Sequence, residues 1–61
     1  METKFVDNKD KLLGVIDTTI NFNNKDKIKY NGCVYSVVRT EYLTHIDEGK
    51  LYIDSRIIHL I

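Results

Sequence analysis

The stretch KYNGCVYSVV, residues 29–38, decides the fold class. Asn31 and Gly32 sit between two runs in which tyrosines and valines recur at alternate positions. A two-residue type I′ turn needs positive φ at both central residues, which Asn tolerates and Gly accepts freely, and its twist suits the flanking strands. Such a turn fixes a register: Tyr30 opposite Cys33, Ile28 opposite Tyr35, Asp26 opposite Val37. Ile28, Tyr30, Cys33, Tyr35 and Val37 then share one face, while Lys27, Lys29 and Ser36 take the other. Each of these residues already has a structural task, so the stretch reads as the bend of a β-hairpin and not as a working site.

Working outward, the pattern changes phase after Val37: Val38, Thr40 and Tyr42 become the apolar set, and Arg39 and Glu41 the solvated one. A long strand whose buried face switches midway is bulged or bent, as in a barrel or roll. THIDEGK at 44–50 reads as the next loop, with Gly49 in a left-handed position. LYIDSRIIHLI at 51–61 is a last strand that becomes apolar on both faces. It either closes the barrel against an earlier strand or meets the same strand of another copy, because an exposed apolar strand is a template for aggregation.

On the other side, TKFVD at 3–7 reads as a first strand followed by the turn-forming cluster NKDK. LLGVIDTTINF at 12–22 fits two periods. Leu12, Ile16, Thr19 and Ile20 have helical spacing with Asp10 as a cap, whereas Ile16, Thr18, Ile20 and Phe22 alternate. Gly14 and the β-branched residues between 15 and 20 disfavour a helix, so strand is the reading adopted and helix the alternative. The expectation is one all-β domain over residues 1–61, a small antiparallel SH3-like barrel or β-roll of about five strands. Its core would draw on Phe5, Ile16, Ile20, Phe22, Ile28, Tyr35, Val37, Val38, Leu51, Ile53 and Ile57.

With 61 residues, the chain is near the size at which folding needs help from disulfides, metals or oligomerisation. A single cysteine excludes an internal disulfide, and Cys33, His45 and His59 are too scattered for a structural zinc. Oligomerisation is the remaining way to bury more area. Nine basic and nine acidic residues cancel, so no net field draws the chain to phosphate backbones or anionic membranes. There is no long apolar run and no signal-peptide pattern, and the free thiol agrees with a reducing compartment, so the expected location is cytoplasmic.

Candidate chemistry is sparse. Cys33 would need a nearby histidine to act as a nucleophile, and a small buried residue is the simpler reading. His45, Asp47 and Glu48 could hold a divalent ion weakly, but EF-hand spacing is absent and a solvated turn suffices. His59 reads as the exposed or interface side of the last strand. Glu41 and Asp54 read as cross-strand ion-pair partners of Arg39 and Arg56. No catalytic residue, metal ligand or cofactor site is assigned, and an enzyme is not expected.

DKIKYNGCVYSVV, residues 26–38, resembles the strand, Asn-Gly turn and Tyr-x-Val strand of many small β-barrels, including short proteins of phages and other mobile elements of low-GC bacteria. The resemblance carries no active-site residue, and on its own it implies a fold and no activity. Together with the small size it suggests a non-catalytic interaction module, an accessory or inhibitor protein that binds a host protein. Self-association as a homodimer is expected through the apolar last strand, at Ile57, Ile58, Leu60 and Ile61. The alternative is a barrel that binds single-stranded nucleic acid through Tyr30, Tyr42, Tyr52, Lys27, Lys29 and Arg39, stacking bases and neutralising phosphates. The balanced charge weighs against it.

Overall fold

Two tight turns organise the chain. In the computed structural model, which describes all 61 residues, Asn31 and Gly32 have φ of 51° and 80°, and Glu48 and Gly49 have φ of 51° and 76°. Both pairs therefore have the positive φ values of a type I′ hairpin turn. The strands they join are β3 (Lys27–Tyr30), β4 (Cys33–Asp47) and β5 (Lys50–Leu60), preceded by β1 (Glu2–Val6) and β2 (Leu12–Asp17). The all-β expectation holds, and residues 12–17 are strand. The strand is shorter than the sequence suggests, because residues 18–26 have no regular structure.

The first hairpin has the register that the Asn-Gly turn dictates: Tyr30 pairs with Cys33 and Ile28 with Tyr35. Val37 N–H donates to the Asp26 carbonyl at 2.8 Å, which extends the pairing beyond the strand. The second hairpin is longer than expected. Residues 44–47 are strand, not loop, and the connection is only Glu48 and Gly49. The phase change after Val37 is a bulge: Val37 pairs with Leu60 and Arg39 with His59, leaving Val38 as the extra residue. A second shift leaves Asp54 extra between Ile53 and Ser55.

The five strands form one sheet in the order β2-β1-β5-β4-β3, curled into a half-barrel. All neighbours are antiparallel except β1 and β5, which run parallel with Thr3 beside Arg56 and Phe5 beside Ile58. The sheet is therefore mixed and not purely antiparallel. It is also open, because β2 and β3 are its two edges. β5 sits in the centre with both edges hydrogen-bonded, so of the two arrangements expected for the last strand the chain has the first: it closes against an earlier strand, β1.

The concave face holds the core. Val37, Ile58 and Leu60 are buried, and Phe5, Leu13, Phe22, Ile28 and Tyr35 pack against them. Phe22 reaches the core from the irregular segment and meets Phe5 edge to face, with ring centroids 5.5 Å apart, a favoured aromatic geometry. Five residues expected in the core, Ile16, Ile20, Val38, Leu51 and Ile53, are instead exposed. Ile20 lies in the irregular segment, Val38 is the bulge, Ile16 faces the open mouth, and Leu51 and Ile53 lie beyond the reach of any third strand.

Arg56 fastens the irregular segment to the sheet. It is buried and its Nε donates to Thr3 Oγ1 at 2.8 Å. Its terminal nitrogen donates to the carbonyls of Thr18 and Ile20, and the guanidinium carbon lies 5.4 Å from the Phe22 ring centre. Arg56 is therefore not the surface ion-pair partner expected of it. Its planar fork satisfies several acceptors at once, which a lysine ammonium does less well.

The β1–β2 loop is held by Asp7, whose carboxylate accepts from the backbone N–H of Lys9 at 2.8 Å and of Lys11 at 2.9 Å. These bonds, aided by the nearby lysine charges, hold the Asp7 carboxyl below its ordinary value of 3.8. A depressed folded-state pKa means that the contribution is present above the unfolded value and lost as pH falls through the folded one. Thermal melts across the acid range should therefore show Asp7→Asn less stable than wild type near neutrality, with the gap shrinking below about pH 4. A gap that is constant with pH would contradict this role.

Candidate functional site

Past Ser55, which pairs with Glu2, β5 has no neighbour other than β4. Residues 43–54 thus project as a two-stranded ribbon, and the molecule measures 45 × 20 × 18 Å. Alternation along β4 puts Thr40, Tyr42, Thr44 and Ile46 on one side, and Thr40 pairs with the core residue Ile58. The ribbon's continuation of the concave face therefore carries Tyr42 and Ile46 together with Leu51, opposite Ile46, and Ile53, opposite Thr44. Ile46 is 73% exposed and Leu51 64%, and Tyr42 and Ile53 are about half exposed.

The opposite face of the ribbon is polar and internally organised. His45 Nδ1 lies 2.7 Å from Asp54 Oδ1, and the His45 ring stacks on Tyr52, with centroids 5.2 Å apart and 15° between planes. The bulge at Asp54 aims its carboxylate at the imidazole. A His–Asp pair can orient an imidazole for base catalysis, but it needs a nucleophile or substrate within reach. Cys33 is exposed and sits twelve residues away on the same strand, roughly 40 Å at the rise of an extended chain. His59 lies beside Arg39, six residues or roughly 20 Å from Cys33. Its Nε2 is 2.9 Å from Glu41 Oε1, and Arg39 lies 3.8 Å from the same oxygen. Asp47 and Glu48 fall at the ribbon tip, and no three His, Cys, Asp or Glu side chains converge. The expectation of a buried Cys33 is corrected: next to the turn its face runs past the covered part of the half-barrel.

A hollow of about 290 Å³ opens on the concave face, lined by residues from β1, β2, β3 and β5 and by Phe22. Its walls include Phe5, Leu13, Ile16, Ile28, Tyr30 and Leu60. Apart from the Tyr30 hydroxyl no titratable group lines it. It is what an unclosed barrel leaves between its two edge strands. A second hollow of about 330 Å³ lies beside the end of β5 and is lined by Asp7, Asp10, Arg39 and His59 among others, with charges of both signs.

Of the residues expected to mediate self-association, Ile58 and Leu60 are buried in the chain's own core and Ile57 is half-buried. Ile61 is exposed, but its backbone pairs with Ser36 through both N–H and carbonyl. Exposed apolar side chains occur on several strands, and those of Tyr42, Ile46, Leu51 and Ile53 share one side of the ribbon. The residues expected to bind nucleic acid are not brought together. Tyr30 and Tyr42 lie on the concave side, whereas Lys27, Lys29 and Arg39 lie on the convex side with Tyr52, which stands out on the ribbon away from them. Lys27 Nζ is moreover engaged by Ser36 Oγ at 2.6 Å. The alternation of Leu51 and Ile53 is visible in the sequence, but the apolar side of the ribbon is missed once residues 44–50 are taken as a loop.

Comparison of the chain with protein-family models, with curated proteins and with solved structures finds no match. No helix long and apolar enough to cross a membrane is present.

Proposed function

We propose that this chain is a non-catalytic interaction module that self-associates and presents a surface to a protein partner, the projecting ribbon being its contact element. The observation that carries this reading is the uncovered apolar side of residues 42–53. Monomeric proteins rarely expose contiguous apolar patches larger than a few hundred Å², and larger ones mark interaction sites. The size of the surface points the same way. The accessible area is 4653 Å², against roughly 4,100 Å² for a compact monomer of this mass. The radius of gyration is 12.6 Å, against about 10.5 Å for a compact domain of this length.

Only seven residues are buried, and a second copy would add the core that the chain lacks. An accessory or inhibitor protein that occupies a surface on a host protein, in the cytoplasm, fits this reading.

Sedimentation equilibrium over a range of concentrations tests it. Wild type should be a dimer, and Ile46→Glu should raise the dissociation constant at least about tenfold, since a charge at a desolvated apolar contact costs more than the 1.4 kcal/mol that a factor of ten represents. Ile46 is largely solvent-exposed, so the variant should fold as wild type does by circular dichroism. A wild-type chain that stays monomeric at every concentration removes the self-association claim.

A further inference from the structure

We infer that the second copy docks antiparallel, so that the apolar side of each ribbon covers the open hollow of the other. This rests on the reading above and specifies its partner and geometry. The ribbon patch and the hollow are both on the concave side of the continuous β4–β5 pair, one at each end of it. The register shows this: Ile58 and Leu60 belong to the core by the hollow, Thr40 pairs with Ile58, and Ile46 follows Thr40 by an even number of residues.

Two surfaces on one side and at opposite ends of one element are mutually complementary under a two-fold axis that passes in front of its middle, across the strands. Turning one copy about that axis places ribbon on hollow twice. Such an isologous contact closes on itself and does not propagate into a fibre. The right-handed twist of both ribbons lets them wind about each other.

The dimensions agree. The overhang from Ser55 to the turn is about five residues, or roughly 17 Å, close to the 18–20 Å breadth of the molecule. The excess of accessible area over a compact monomer, roughly 600 Å², approaches the roughly 800 Å² that each partner buries in a standard interface. With nine charges of each sign, no net repulsion opposes the approach of two copies.

The test uses Ile46→Glu on the ribbon and Ile16→Lys at the hollow, each alone and mixed in equal amounts, read by sedimentation equilibrium. Ile16 is about half exposed on an edge strand. Each variant alone should dimerise at least about tenfold more weakly than wild type. Their mixture should recover dimers, because one ribbon–hollow contact is then wild type on both sides. The other contact sets the introduced carboxylate of one copy against the introduced ammonium of its partner.

Tyr30→Lys, on a different strand of the hollow, replaces Ile16→Lys if circular dichroism shows the latter unfolded. Hollow variants that fold and dimerise like wild type overturn this docking while leaving the ribbon as the contact element, as in ribbon-on-ribbon packing. A mixture that stays monomeric also overturns it. A monomeric wild type overturns both this docking and the broader self-association reading.

Discussion

Ile58→Ala should lower the folding free energy by about 3–4 kcal/mol, within the range for truncating a buried isoleucine to alanine. Ile58 has no solvent exposure and lies on the central strand between Phe5 of β1 and Thr40 of β4. The cost has two parts, the lost transfer of the side chain from water and the cavity left behind, and the second depends on how far the neighbours can collapse. Here the sheet is paired on both sides of Ile58, so collapse is restricted. A 61-residue chain has roughly 3–9 kcal/mol of total stability. Urea titration should therefore show the midpoint falling by about a third at the upper end of that range and by more below it. A loss under about 1 kcal/mol would mean that the concave face is not the core.

Arg56→Ala should cost about 3 kcal/mol, through a different mechanism. Removing the guanidinium leaves the Thr3 hydroxyl and the carbonyls of Thr18 and Ile20 without their donor, and each acceptor left dry costs about 1–3 kcal/mol. Thr3 has no exposure and suffers most. Loss of the anchor also frees Phe22 from its place against Phe5. Amide hydrogen exchange should show Thr18, whose N–H donates to the Met1 carbonyl, losing protection before the strands do. Arg56→Lys should recover less than half of the loss, because one ammonium cannot reproduce the spread of the fork. Full recovery by lysine would show that the charge alone matters and that the geometry does not.

The parts of the fold legible in the sequence are those written in local backbone chemistry. Asn31 and Gly32 specify a turn, the turn specifies the register, and the structure has that register. The slip in alternation at Val37 and Val38 is likewise a local signal, and it is a bulge. The ribbon is hidden from such reading because its alternation is weak on β4, where Thr44 stands between Tyr42 and Ile46 and turn-forming residues follow. Thr44, His45 and Asp47 look like loop residues until the strength of the Leu51–Ile53 partner strand is considered. The parallel pairing of β1 with β5 leaves no sequence mark beyond the double apolar face of residues 57–61. Arg56 looks like a solvated residue because two of its acceptors are backbone carbonyls 36 and 38 positions away, which no periodicity reveals.

The parallel neighbours β1 and β5 set the timing of assembly. Thr3 and Arg56 stand 53 positions apart in the chain, so the hydrogen bond between them waits until everything in between has been synthesised. The Asn31–Gly32 bend can form as soon as its own few residues are available, but β1 gains its central partner only after residues 55–59 emerge. Such distant pairing slows the search for the native arrangement, and a nascent chain halted before residue 55 would leave the ribosome with hairpins but no interior.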